Sequence, residues 1–278
     1  MAPRLFQHAP SFVLVLLVLT GCGVKRDLYL EKKEQVKQLK QENLALKQEN
    51  LQIRRKLSAP LVPGALPAQT SFSDVSGVPQ EPLISALARL QALPVEAETL
   101  QPNSLITRSE YLIWLFQSNN ALFFDKPQRQ LRPISAEAVA FSDLPKTHPA
   151  FSFVQAFAPF LPLADGTGRL RPDEPLTREE LLAYKSRLDW GESAVMTPED
   201  VAQVWQFSDS DSINPAYCGA IIKDQNAESN LRRVWGGTTR LEPRQPVTRA
   251  EAAASLWRIG SESEGRSAPE ALKLRGLP

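Results

Sequence analysis

Asp165-Gly166-Thr167-Gly168-Arg169-Leu170-Arg171-Pro172-Asp173-Glu174-Pro175-Leu176-Thr177-Arg178-Glu179-Glu180 is the stretch whose reading decides the fold. Its first half has the glycines and prolines of a tight turn. Its last four residues have the form Thr-Arg-x-Glu, the signature of a helix start. A threonine at the N-cap accepts the amide proton of the third helical residue, and a glutamate there reaches back to the N-cap amide. The same four-residue pattern recurs as Thr107-Arg108-Ser109-Glu110 and Thr248-Arg249-Ala250-Glu251, at spacings of 70 and 71 residues. Each copy is preceded by Phe-Ser-Asp, at Phe72-Ser73-Asp74, Phe141-Ser142-Asp143 and Phe207-Ser208-Asp209, spaced by 69 and 66 residues. Order and spacing repeated three times mark an internal repeat.

Working outward, Thr107 with Glu110, Thr177 with Glu180 and Thr248 with Glu251 are read as capping boxes. Apolar runs such as Tyr111-Leu112-Ile113-Trp114-Leu115-Phe116 follow them, as expected of core-facing helices. A further helix is expected ahead of each loop, over Glu81 to Leu93, Pro149 to Leu161 and Pro215 to Ala227, and a short connecting helix opens at Thr197-Pro198-Glu199-Asp200. The unit is helix, loop, capped helix, and the fold class is mainly α. Repeats are expected at 72–140 (divergent), 141–206 and 207–260, with 261–278 as a C-terminal tail.

The arginine of Thr-Arg-x-Glu is not explained by capping. At the first helical position it puts a positive charge beside the positive end of the helix dipole, at a cost of about 0.3–1 kcal/mol when exposed. Two uses can offset that. A helix N-terminus and a guanidinium can converge on a carboxylate of a ligand, or the arginine can pair within the chain, for example with the aspartate of Phe-Ser-Asp.

With these residues in view, the chain resembles the S-layer homology (SLH) family of cyanobacterial-envelope type. The resemblance rests on Phe-x-Asp, the glycine loop, Leu-Arg-Pro-Asp-x-Pro-Leu and Thr-Arg-x-Glu. It covers about residues 72 to 260. It implies a helical pseudo-trimer of three repeats, whose grooves bind peptidoglycan-linked wall polysaccharide bearing ketal-linked pyruvate. Mapped onto this sequence, Arg108, Arg178 and Arg249 would contact the carboxylate, and Gly166 and Gly236 would line the grooves. The first copy departs from the pattern: Leu93-Pro94-Val95-Glu96-Ala97-Glu98-Thr99-Leu100-Gln101 replaces the glycine loop, which puts its groove in doubt. Phe151 stands where the family often has Trp.

The N-terminal part has a different composition. Residues 1–21 combine Arg4, an apolar stretch from Phe12 to Leu19, and Leu19-Thr20-Gly21 ahead of Cys22. These are the parts of a secretory signal, and the stretch is too short for the roughly 20 apolar residues of a membrane span. Leu-x-Gly-Cys resembles the lipobox, which implies that Cys22 is acylated and becomes the mature N-terminus. Residues 22–57 follow. From Lys25 to Leu57 they lack proline and glycine, and read as one helix of roughly 50 Å. With Val36, Asn43, Asn50 and Leu57 at heptad position a and Leu39, Leu46 and Ile53 at d, Glu42 and Glu49 face Lys47 and Arg54 of a parallel partner. The alternatives are a parallel homo-oligomeric coiled coil and a solvated lone helix. The uncharged stretch 58–71 reads as a Pro-rich linker.

The chain has 32 basic and 31 acidic residues. Removing Arg4 with the leader equalises them, which leaves no net charge to draw the protein to nucleic acid. His8 in the leader and His148 are the two histidines, so neither a histidine-based catalytic triad nor a multi-histidine metal site is expected. No acidic pair stands apart from capping and turn roles, and no cofactor is implied. The expected function is a non-enzymatic envelope tether: lipid at Cys22, a spacer helix, and an SLH domain on the wall. The placement of Gly23 after the acylated cysteine favours the outer membrane, facing the periplasm. The rival expectation is a protein-protein interaction scaffold built on degenerate repeats.

Overall fold

The structure is a computed structural model that describes residues 32–41, 71–95, 98–135, 139–161 and 167–277. Cys22, the linker 58–70, Gly166, and the seam positions Asn43, Leu46, Asn50, Ile53 and Leu57 lie outside the described residues. The chain divides into two units, Met1–Leu61 and Val62–Pro278. Of the first, residues 32–41 are described as helix α1. Val36 and Leu39 share one face of it, one 50% and the other 56% exposed. No described helix is long and apolar enough to cross a membrane.

The second unit is mainly helical. Its elements are α2 (Glu81–Arg89), α3 (Arg108–Leu122), α4 (Phe151–Phe157), α5 (Arg178–Trp190), α6 (Pro198–Trp205), α7 (Pro215–Lys223), α8 (Asn230–Trp235), α9 (Arg249–Ser255), strands β1 (Arg258–Ile259) and β2 (Arg266–Ser267), and α10 (Ala268–Leu274). Helices α3, α5 and α9 begin at the arginine of each Thr-Arg-x-Glu. The Thr107, Thr177 and Thr248 amides donate to Glu110, Glu180 and Glu251 at 3.0, 2.9 and 2.8 Å. A capping threonine is worth about 1 kcal/mol to its helix.

The helices ahead of the loops are shorter than the apolar pattern suggests, each for a local reason. Helix α2 closes in a Schellman turn, with Gln91 at φ +53° and the Ala92 amide donating back to the Leu87 carbonyl. After α4 comes Pro159, which has no amide proton to extend the ladder. Helix α7 stops where Asp224 turns its side chain to the start of α8, accepting from the Asn230 and Leu231 amides at 3.0 and 2.9 Å.

What joins the repeats is a closed ring of main-chain hydrogen bonds just ahead of the three capped helices. The Ile106 amide donates to the Val247 carbonyl (3.1 Å), Val247 to Leu176 (2.8 Å) and Leu176 to Ile106 (2.9 Å). All three side chains are fully buried. Packing follows the same cyclic order, because α3 lies on α4, α5 on α7 and α9 on α2. Each repeat thus covers its capped helix with the first helix of the next, and the third closes on the first. In the third repeat α9 also packs against α8 of its own repeat.

The segment expected as a C-terminal tail is instead packed structure. Strands β1 and β2 pair Arg258 with Ser267 and Ile259 with Arg266. Gly260 and Gly265 make the close approach between them, since a Cβ on Gly260 would stand 2.7 Å from the Gly265 Cα. Thr197 with Asp200 at α6 and Ser267 with Glu270 at the start of α10 form two further capping boxes. The Arg266 guanidinium, 7% exposed, pairs with Asp125 and donates to the Leu122 carbonyl (2.7 Å), which ties this segment to the end of α3.

Candidate anion-binding site

The loops before the capped helices are built alike. In each, the aspartate of Phe-Ser-Asp accepts two successive amides: Asp74 from Leu100 (2.8 Å) and Gln101 (2.7 Å), Asp143 from Leu170 (2.9 Å) and Arg171 (2.8 Å), Asp209 from Leu241 (3.0 Å) and Glu242 (2.8 Å). The second residue of each pair is left-handed, with φ +57° at Gln101, +53° at Arg171 and +52° at Glu242. Two charge-assisted bonds offset the roughly 1–2 kcal/mol that such a conformation costs a residue with a Cβ. Burial works against ionisation of Asp143, but the two amides prevail and hold its carboxyl below the ordinary range. The first copy, without glycines over 93–101, keeps the same clamp.

The aspartates are therefore not the partners of the arginines. Arg108 places its guanidinium 2.8 Å from Glu180 and 3.1 Å from Glu174, in the second repeat. Arg178 lies 2.9 Å from Glu242 and 3.6 Å from Glu251, in the third. Arg249 lies 3.2 Å from Glu110, in the first. Each arginine reaches the capping glutamate of the next helix in the cycle. The three also donate to main-chain carbonyls, Arg108 to Arg171, Arg178 to Leu241 and Arg249 to Leu100. Arg178 stacks over Trp235 at 5.0 Å and Arg249 over Trp114 at 4.7 Å. Burial tends to discharge Arg108, but the Glu180 and Glu174 contacts outweigh it and raise its pKa. All three expected ligand contacts are engaged inside the protein.

Gly236, also expected in a groove, is the residue after α8. Its φ of +71° explains the glycine, and a Cβ there would meet nothing within 4 Å. Its amide donates to the Arg232 carbonyl at 2.9 Å. It does not border the cavity described next.

A cavity of about 270 Å³ opens beside the start of α5. Arg108, Arg169, Arg171 and Arg244 line it, with Glu179, Glu180, Tyr184 and Tyr217. Glu180 is held by Arg108 and Thr177. Glu179 accepts from the Asn214 amide at 2.9 Å, and burial pushes its carboxyl pKa up. Arg169 is an exposed side chain whose ion pair to Asp143 is a long 3.6 Å. Arg244 is exposed, and among the described residues no hydrogen bond or ion pair holds its side chain. Exposed guanidinium groups from two loops, Arg169 and Arg244, thus border the same cavity, the first only loosely paired.

The Thr-Arg-x-Glu pattern points to the buried Arg108 and the partly buried Arg178 and Arg249, all internally paired, and not to Arg169, Arg171 and Arg244. The available signal was the cluster of basic residues flanking Pro172 and Pro243. His148, outside this cavity, sets the turn into α4: it accepts from the Ala150 amide on Nδ1 (3.1 Å) and bonds Asp173 through Nε2 (3.1 Å). No group of three or more metal-ligating side chains occurs among the described residues. No protein-family model matches this chain, and no curated protein or solved structure is significantly similar to it.

Proposed function

We propose that this protein is a non-enzymatic tether of a bacterial envelope, lipid-anchored at Cys22, that grips acidic polysaccharide linked to peptidoglycan through an SLH-type pseudo-trimer. The observation that carries the reading is the basic cavity in a ring of three interlocked repeats, where the exposed Arg169 and Arg244 offer charge from two loops. The lipobox-like Leu19-Thr20-Gly21-Cys22 supplies the anchor. Helix over 32–41, with Val36 and Leu39 unburied in the single chain, suits the spacer and leaves a face for a parallel copy. A lipid and weak carbohydrate contacts in one molecule reinforce each other through effective concentration.

The test is retention of the full-length chain, in detergent micelles, on purified wall sacculi. Retention that falls steeply between about 50 and 200 mM salt is expected of ionic recognition. Sacculi that fail to retain the protein sink the reading.

A second reading draws on the internal pairing of Arg108, Arg178 and Arg249: repeats whose arginines are spent on each other can serve as a protein-interaction scaffold. Capture of envelope proteins by a chain that ignores sacculi would favour it.

A further inference from the structure

The cyclic packing creates three equivalent places, one at the start of each capped helix. Their equivalence is visible in the main chain. The Ser109 amide donates to the Pro172 carbonyl (2.9 Å), Glu179 to Pro243 (3.0 Å) and Ala250 to Pro102 (3.0 Å). Each place is therefore framed by the loop of its own repeat and by the residue following the proline of the next.

The three differ sharply in charge. Beside α5 the framing residues are Arg169, Arg171 and Arg244, three cations. The corresponding residues beside α9 are Arg240, Glu242 and Asn103, one cation and one anion that is already paired with Arg178, and beside α3 they are Thr99, Gln101 and Asp173, with no cation and one anion, bonded to His148. Adding Glu179 at α5, where the others have Ala250 and Ser109, leaves the order unchanged.

The aromatic residues differ too. The position seven residues after each capping threonine is Trp114 in α3, Tyr184 in α5 and Ser255 in α9. Beside α3, Trp114 lies under Arg249. Beside α9, Trp235 lies under Arg178 and donates its indole N–H to Glu251 at 2.7 Å. The cavity at α5 is lined by four arginines, Arg108, Arg169, Arg171 and Arg244, whereas a second pocket, on the third-repeat loop, sets Arg240 and Arg244 against Asp209 and Glu242.

We propose that the α5 groove alone of the three takes an acidic saccharide, its carboxylate held by Arg169 and Arg244, while Arg108, Arg178 and Arg249 serve as inter-repeat struts. This rests on the carbohydrate-binding reading above. Arg169 and Arg244 come from consecutive loops, so a carboxylate between them is bound across the junction of the second and third repeats.

Two probes keep the inference and the wall reading apart. Trigalacturonate carries carboxylates on sugar rings, and chitotriose is its neutral control. In calorimetric titration of the full chain, trigalacturonate is expected to bind and chitotriose not to. The Arg169→Gln/Arg244→Gln variant should lose at least about tenfold in affinity, the effect of removing charge-assisted contacts. Lys146→Gln/Lys273→Gln removes the same charge from exposed sites elsewhere and should bind like the wild type; circular dichroism verifies that both variants are folded. No trigalacturonate binding by the wild type, or equal binding by R169Q/R244Q, overturns the single-groove assignment. Retention on sacculi is the second probe. A wild type retained on sacculi, with R169Q/R244Q retained equally, keeps the wall reading and overturns the groove. A wild type that binds trigalacturonate through these arginines but not sacculi keeps the groove and removes the wall reading.

Discussion

The Arg108 guanidinium lies 2.8 Å from the Glu180 carboxylate, joining the first residue of α3 to the N-terminal cap of α5 across 72 positions of sequence. Their side chains are 7% and 11% exposed. Truncating one partner strands a buried charge, which costs about 3–5 kcal/mol. Arg108→Ala is expected to lower the melting temperature by roughly 6–20 °C, given about 2–4 °C per kcal/mol for a domain of this size. Arg249→Ala should cost less, about 1–2 kcal/mol, because its partner Glu110 is 43% exposed and screened by solvent. Equal losses in thermal unfolding would contradict the ranking.

Asp143 provides a pH test of the loop clamp. Its folded-state pKa is depressed, so its contribution is present above the unfolded value near 3.9 and is lost as pH falls through the folded value. Asp143→Asn removes an ionised acceptor from the Leu170 and Arg171 amides and should cost about 1–3 kcal/mol at pH 7. In urea titrations the gap between wild type and D143N should narrow toward pH 3. A gap that is constant with pH would remove the carboxylate from this role.

Gln101 holds φ +57° in an exposed loop. Replacing it with glycine relieves the left-handed strain at the expense of greater freedom in the unfolded chain. Gln101→Gly should therefore stabilise by about 0.5–1 kcal/mol, where most loop-to-glycine changes destabilise. A lower midpoint in urea for Q101G would show that the clamp at Asp74 leaves no strain to relieve.

Cys218, fully buried in α7, has its thiol pKa pushed up to about 11, by burial and then by Glu179, Asp200 and Glu199. A protonated, inaccessible thiol is a poor nucleophile. Peptide mapping after iodoacetamide treatment should find Cys218 unmodified in the native protein and alkylated in guanidinium. Prompt alkylation under native conditions would mean that α7 opens locally.

How much of this was legible beforehand depended on the range of the interaction involved. Thr177 and Glu180 meet within one helical turn, so the start of α5 is written in four residues. Helix lengths were less legible, because the ends of α2 and α7 depend on a left-handed Gln91 and on the turn Asp224 makes to reach α8. The C-terminal segment is a related case. Its short β-hairpin is anchored by Arg266 on Asp125, and no local pattern announces a pairing over that separation.

The site divides along the same line. Sequence by itself determined that there are three repeats, that each has a capped helix, and that an arginine stands at its first turn at some electrostatic cost. It left that arginine either a ligand contact or an internal partner. Only the tertiary structure decided that the ring Ile106–Val247–Leu176 closes, and that closure delivers each arginine to the next repeat's glutamate. Helix starts are set by bonds three residues apart, whereas charge pairing is set by whichever surfaces the chain must bury against each other. Once burial had fixed α3 on α4, α5 on α7 and α9 on α2, the neighbours of Arg108, Arg169 and Arg244 followed.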